Sequence, residues 1–284
     1  MSTTEILILV IGALGFLAIG SFICVIIDRL PVYSEEPNSY GEHWDTRPWG
    51  EVLGGNSRCS SCGTPVRPYD NIPIVSWLLL RGKCRGCGER IPAFHPIVEL
   101  LCPLLFLGAM WAIGFDLRVI PALWLIPATV AISVIDLRTL MVPTRIVWPA
   151  AAVSAVVIAA VSLIEGEPSW MLNALIGAAV LAGPLAVIWW FMPSGMGFGD
   201  VRLSIFLGLN LGFYAGTRPM GAVTLSLLCL GLSSLLGVII GVVALGARGR
   251  KAKVPFGPSL VIGTFICIAL AAEILEPYGA YALT

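Results

Sequence analysis

The chain has 284 residues, 57% of them hydrophobic and only 12% charged, with a formal net charge of zero. Soluble domains carry about 25% charged residues, so a fold surrounded entirely by water is excluded. The zero balance says little about partners, and none of nucleic-acid type is expected; what informs is where the few charges sit.

Apolar stretches long enough for a bilayer, roughly 17–25 residues each, predict eight helical spans near 5–27, 96–114, 119–135, 146–164, 171–191, 203–216, 221–246 and 259–275. The sixth is short and the seventh long. Met1-Ser2-Thr3-Thr4-Glu5 lacks a positive n-region, so the first stretch reads as a helix and not a cleaved signal. Glycines and prolines inside the spans (Gly177, Gly183, Pro184, Gly231, Gly237) are tolerated where neighbouring helices satisfy the backbone.

Positive charge orients the array. With the N-terminus outside, Arg29, Arg47, Arg58, Arg67, Arg81, Lys83, Arg85, Arg90, Arg138, Arg145, Arg202, Arg248, Arg250, Lys251 and Lys253 all fall inside, leaving only Arg118 and Arg218 outside. The expected fold is an all-α polytopic membrane protein of about eight transmembrane helices with a small cytoplasmic zinc-binding loop domain. Residues 1–27 form the first helix, 28–95 the cytoplasmic domain and 96–284 a seven-helix membrane core.

Within 28–95, residues 32–57 hold Glu35, Glu36, Glu42, Asp45 and Glu51. They show neither helix nor strand period and read as loop. Residues 58–92 carry the strongest local signal: Cys59-x2-Cys62, 21 residues, then Cys84-x2-Cys87, each pair followed by glycine (Gly63, Gly88). A Cys-x2-Cys turn points two thiolates at one centre, and two such turns complete a tetrahedral zinc site. Four thiolates leave no open position, so the metal reads as structural, supplying folding energy to a region too small for its own core. The rival reading is a pair of redox dithiols. Cys24, Cys102, Cys229 and Cys267 fall within spans and read as small buried hydrophobes.

Three acids fall at membrane depth: Glu99, which follows Pro96 at the start of the second span, Asp136 at the end of the third, and Asp200 opening the sixth. An ionisable residue there costs several kcal/mol, roughly 2.5–3.5 on insertion scales, unless it is paired or faces water. Each alone reads as an end-of-span charge reaching the interface. Together they share the cytoplasmic edge, on the face of the cysteine unit. Two carboxylates in one site cannot both ionise cheaply, so the pair holds a single proton. The ionised partner then activates a water while the protonated one polarises a peptide carbonyl. Gly197 and Gly199 before Asp200 let a substrate backbone come close. His43 and His95 are isolated, and neither a nucleophile elbow nor a His-Glu-x-x-His is present.

The ordered motifs resemble the type IV prepilin peptidases, members of the GxGD group of aspartic membrane proteases. They are Gly20-Ser21-Phe22-Ile23-Cys24-Val25-Ile26-Ile27-Asp28-Arg29-Leu30-Pro31, Asp70-Asn71-Ile72-Pro73-Ile74-Val75-Ser76-Trp77, Arg81-Gly82-Lys83-Cys84-Arg85-Gly86-Cys87 and Phe94-His95-Pro96-Ile97-Val98-Glu99-Leu100. The Asp136-to-Pro143 segment, Gly197-Phe198-Gly199-Asp200 and Pro255-Phe256-Gly257-Pro258 complete the series. The chain departs from the family's usual residues at Cys24 (Asn), Ser60 (Pro), His95 (an aromatic) and Arg202 (Lys).

The resemblance implies catalytic aspartates at Asp136 and Asp200, with Glu99, Gly197 and Gly199 in support. It implies structural zinc on Cys59, Cys62, Cys84 and Cys87. The implied enzyme lies in the bacterial inner membrane, multi-pass, with its active site at the cytoplasmic face. It cuts the basic leader from prepilin and pseudopilin precursors, whose hydrophobic N-terminal helix lies in the same lipid bilayer. Members with the large first loop often also methylate the new N-terminus with S-adenosylmethionine. The alternatives are a presenilin-type intramembrane protease, which shares Gly-x-Gly-Asp, and a membrane protein that moves metal or disulfides through its cysteines.

Overall fold

The computed structural model describes residues 2–36, 43–193, 196–248 and 255–276, with side chains to 242 in the helix that ends at 248. Glu42 of the acidic segment, Arg250, Lys251 and Lys253, and the Arg248 side chain lie outside the described residues. The chain divides into two compact units, Met1–Trp111 and Ala112–Thr284.

The first unit opens with helix α1, Thr3–Arg29. Ser2 Oγ accepts the Glu5 N–H at 3.2 Å and Glu5 Oε2 accepts the Ser2 N–H at 2.7 Å, so two amides with no intrahelical partner are satisfied reciprocally. Along one face α1 exposes Leu7, Ile11 and Leu14, a surface suited to lipid. At the other end Arg29 forks onto the next segment. Its Nη1 donates to the carbonyls of Val52 (3.1 Å) and Gly54 (2.8 Å), and its Nη2 donates to that of Asn56 (3.2 Å).

That segment is more ordered than its sequence suggests. Strand β1 (Pro31–Tyr33) pairs antiparallel with β2 (Trp44–Thr46), and helix α2 (Trp49–Leu53) follows. The expectation of plain loop over 32–57 is therefore corrected. Elements of three to five residues are too short to show a period. The pairing is extended by the Arg47 N–H donating to Leu30 O (2.9 Å) and the Ser34 N–H to His43 O (2.7 Å).

A 3-10 turn at Pro68–Asn71, helix α3 (Val75–Leu79) and helix α4 (Phe94–Ile113) complete the first unit. Helix α4 packs on α1 through the stacked rings of Phe16 and Phe106, 4.9 Å between centroids.

The second unit is helical: α5 (Val119–Thr139), α6 (Thr144–Ile164), α7 (Ser169–Phe191), α8 (Phe198–Phe213), α9 (Pro219–Arg248), α10 (Gly257–Ala269) and α11 (Ala271–Leu275). Helix α8 is enclosed by α5, α6, α7, α9 and α10, with Leu203, Phe206, Leu207 and Leu211 wholly buried. It presses closest on α7, where a Cβ on Gly208 would lie 2.7 Å from Ala178 Cα. Without a water-driven force between helices in lipid, such small-residue contacts supply the attraction through close packing. Asn210, buried in α8, donates from Nδ2 to Ser154 Oγ of α6 (3.1 Å) and to Phe206 O (2.9 Å).

The chain is an all-α polytopic membrane protein. Among the described residues six helices are long and apolar enough to cross a bilayer: α1, α4, α5, α6, α7 and the 219–242 part of α9. Helices α8 and α10, expected as the sixth and eighth spans, have 16 and 13 residues, or about 24 and 20 Å at 1.5 Å per residue. That falls short of a hydrocarbon core of roughly 30 Å.

Candidate active site and metal centre

Asp136 lies on the last turn of α5 and is 3% exposed. Four residues later the helix ends at Leu140, in the left-handed region at φ 57, with its N–H donating to Asp136 O at 2.8 Å. A β-carbon pays roughly 1–2 kcal/mol for that conformation. The turn redirects Met141-Val142-Pro143 so that Val142 meets the start of α8, where a Cβ on Gly199 would lie 2.7 Å from Val142 Cβ. Asp200 follows in the first turn of α8, half-buried. The contact sets the segment that follows Asp136 against the residue that precedes Asp200.

Two further elements close around the pair. Gly257, the first residue of α10, donates its N–H to Asp136 Oδ2 at 3.1 Å. Arg202 holds the Thr144 hydroxyl through Nη1, and its guanidinium lies over the Phe198 ring, 5.2 Å from the centroid. The start of α8 is thereby tied to the start of α6. Such an arrangement offers a buried carboxyl group held by a backbone amide and a second, half-buried one on a neighbouring helix, groups suited to proton traffic with a water. Gly257 is the contact that sequence reasoning missed; its only signal was its place in the Pro255-to-Pro258 motif.

Glu99, grouped with these aspartates from the sequence, belongs to the first unit. Only 7% exposed, it accepts the Ile74 N–H on Oε2 at 2.7 Å. Ile74 has φ 60, unfavourable for a β-branched residue. The carboxylate thus secures a strained turn at the entry to α3. His95, expected to be isolated, sits with Nε2 3.0 Å from Asp28 Oδ2. His43 Nδ1 lies 3.1 Å from Ser34 O. Cys24, Cys102, Cys229 and Cys267 are all buried, as expected.

The four remaining cysteines converge. Their sulfurs lie within 4.8 Å of one another, with Cys59 to Cys87 at 3.9 Å and Cys62 to Cys84 at 4.0 Å. Four thiolates 2.3 Å from a tetrahedral zinc stand about 3.8 Å apart, so the set fits that ion. The two turns are built alike. Cys59 N–H donates to Thr64 O and Gly63 N–H to Cys59 O; Cys84 N–H donates to Glu89 O and Gly88 N–H to Cys84 O. Gly63 (φ 69) and Gly88 (φ 73) close the turns in the left-handed region, which explains the glycine after each pair.

Donors around Cys62 and Cys84 favour their thiolates, whereas the Cys87 thiol is raised. Hydrogen bonding from the Thr64 side chain, then its backbone, lowers the Cys62 thiol to about 6. The backbone at Cys87 and Gly86 lowers that of Cys84. Arg85, inside the second turn, clamps Asp70 of the 3-10 turn with two bonds, Nε to Oδ2 at 2.9 Å and Nη2 to Oδ1 at 2.7 Å.

Comparison with known proteins agrees over most of the chain. Residues 14–113 match the family model described as the bacterial peptidase A24 N-terminal domain, and residues 122–242 match that of the type IV leader peptidase family. Proteins named prepilin leader peptidase/N-methyltransferase align over most of their length and of this chain's. That of Stutzerimonas stutzeri is 31% identical over 282 residues, covering 94% of this chain and 92% of its own. That of Aeromonas hydrophila is 34% identical, covering 92% and 90%, and that of Bacillus subtilis 30% identical, covering 82% and 88%. No solved structure matches the chain. Two abutting family models and near-complete alignment with these relatives establish that the chain belongs to the type IV leader peptidase family.

Proposed function

We propose that the chain is a membrane aspartic endopeptidase that removes the basic leader of type IV prepilins and pseudopilins, with Asp136 and Asp200 as its catalytic pair. The observation that carries this is the packing of Val142, in the segment after Asp136, on Gly199, the residue before Asp200, which sets the two aspartates in neighbouring segments. One carboxylate takes a proton from a water, the water oxygen adds to the scissile carbonyl carbon, and the other carboxyl group protonates the departing amine as the C–N bond breaks. The family and the relatives' names support the same activity.

The charge asymmetry supports a topology of eight crossings, with α8 and α10 as the short ones and the N-terminus outside. The aspartates and the cysteine unit then face the cytoplasm of a bacterial inner membrane. The sulfur geometry supports structural zinc on Cys59, Cys62, Cys84 and Cys87; bound there, it would pin the two turns together. The relatives' names also support methylation of the new N-terminus by S-adenosylmethionine, which would supply the methyl group. A cavity of about 360 Å³ in the first unit, lined by Ser21, Phe22, Arg29, Leu53, Ser57 and Asn71 among others, falls in the size range of small-molecule sites. It offers an aromatic face beside hydroxyl and amide groups.

Asp136→Asn and Asp200→Asn, each assayed on a purified prepilin in detergent or liposomes, test the peptidase. Each is expected to slow cleavage by about 10²–10⁴-fold, and undiminished cleavage by either overturns the assignment. Mass spectrometry of the product is expected to place the cut at the end of the leader. A cut within the hydrophobic helix would favour a presenilin-type activity instead.

A further inference from the structure

We infer that the N-terminus of α10 is a third wall of the aspartate site, and that Gly257 is a positioning residue for Asp136 which has to be glycine. The inference rests on the reading that Asp136 is catalytic. Among the first amides of a helix, which lack an intrahelical partner, that of Gly257 is spent on Asp136 Oδ2 at 3.1 Å, between residues 121 apart in the chain. One oxygen of the carboxylate is pinned by this bond. Rotation of the side chain is restricted, and Oδ1 is left for the reacting water.

Space makes the same demand. A Cβ on Gly257 would lie 2.6 Å from Asp136 Oδ2, 3.4 Å from Asp136 Cγ and 3.4 Å from Leu203 Cδ2. Leu203 is three residues beyond Asp200 on α8, so one backbone position touches both the carboxyl of one aspartate and the helix of the other. The donor is itself held in place. Pro258 stiffens the second position of α10, and the Phe256 ring before it lies against α9, 3.1 Å from where a Cβ on Gly237 would stand. A methyl at 257 therefore displaces the end of the Asp136 side chain, which is held more weakly than the helix, before it moves the helix.

The test compares three forms of the full-length protein on the same prepilin. Gly257→Ala is expected to lower kcat by about 10²-fold, the cost of misplacing a reacting group by about 1 Å, with KM within threefold of the parent. Translation with glycolic acid at 257 replaces the N–H by an ester oxygen and adds no bulk. It is expected to lower kcat by about ten- to a hundredfold, the worth of a hydrogen bond to a charged group. Gly183→Ala, where a Cβ meets nothing within 4 Å, is expected to match the parent.

Unchanged kcat in folded Gly257→Ala and ester forms, or a change confined to KM, would falsify the positioning role. Loss of folding in both forms overturns it as well, by showing that the residue serves the fold and not the carboxylate. If Asp136→Asn is inactive while the Gly257 forms are fully active, only this inference fails. If Asp136→Asn is active, the catalytic reading fails with it.

Discussion

Val142 and Gly199 touch so closely that a β-carbon on the glycine would lie 2.7 Å from the Val142 Cβ. Among the described residues the neighbouring Gly197 has no such neighbour: at φ −70 and ψ 140, its Cβ would meet nothing nearer than the Gly199 nitrogen at 3.9 Å. The two glycines of the Gly-x-Gly-Asp motif therefore have different jobs. Gly199→Ala is expected to push the start of α8 off the connection that follows α5 and lower kcat about 10²-fold. Gly197→Ala is expected to stay within about threefold of the parent. Steady-state cleavage of a prepilin by the two variants, side by side, decides it.

The cysteine unit is expected to bring one zinc per chain through purification, measured by elemental analysis. Cys59→Ser or Cys87→Ser should lose it. Removing the ion with chelator should open residues 58–92 to trypsin at Arg67, Arg81 and Lys83, because the metal supplies folding energy that this small segment lacks. Zinc-free protein that resists trypsin as well as the loaded form would show that hydrogen bonds alone hold the two turns.

At the opposite end of α5, the Tyr214 hydroxyl donates to Arg118 O at 2.7 Å and accepts the Ala122 N–H at 3.0 Å. The hydroxyl thus bridges the carbonyl and the amide that open α5, and Tyr214 is 4% exposed. Tyr214→Phe is expected to destabilise the protein by about 1–3 kcal/mol, the cost of leaving a buried polar group unsatisfied. A lower Tm in detergent with kcat unchanged is the expected result; a lowered kcat at unchanged Tm would contradict it.

Hydrogen bonding from the Arg85 guanidinium holds the Asp70 carboxyl below the usual carboxylate range. A group lowered on folding contributes stability that is present above its unfolded value, about 3.9, and is lost as pH falls through the folded one. Asp70→Asn is therefore expected to make the cysteine unit more sensitive to proteolysis at neutral pH. The difference from the parent should shrink steadily below about pH 4. A difference that persists at low pH would assign the effect to packing and not to charge.

The cysteine turns were legible because their chemistry is local: spacing sets where two sulfurs point, and a glycine after each pair marks the left-handed residue that closes the turn. The long spans were legible for a similar reason, since twenty apolar residues announce themselves without knowledge of neighbours. Glu99 shows the limit. Hydropathy placed it at the same depth as the aspartates, but its partner, the strained amide of Ile74, lies 25 residues back and leaves no trace in any pattern. The hairpin of Pro31–Tyr33 with Trp44–Thr46 escaped because three-residue strands have no period to detect. The pairing of Asp28 with His95 escaped because it depends on how α1 and α4 align.

The sequence by itself determined that this protein lives in lipid, that four cysteines form one centre, and that three acids stand out at membrane depth. Each follows from the cost of placing charge or backbone where water is absent, or from spacing along a single turn. The tertiary structure alone decided which glycine of the motif bears on Val142, which carboxylate serves a turn and not the pair, and that the amide of Gly257 reaches Asp136. Those relations join residues up to 121 positions apart and arise from how helices pack, which no local pattern encodes.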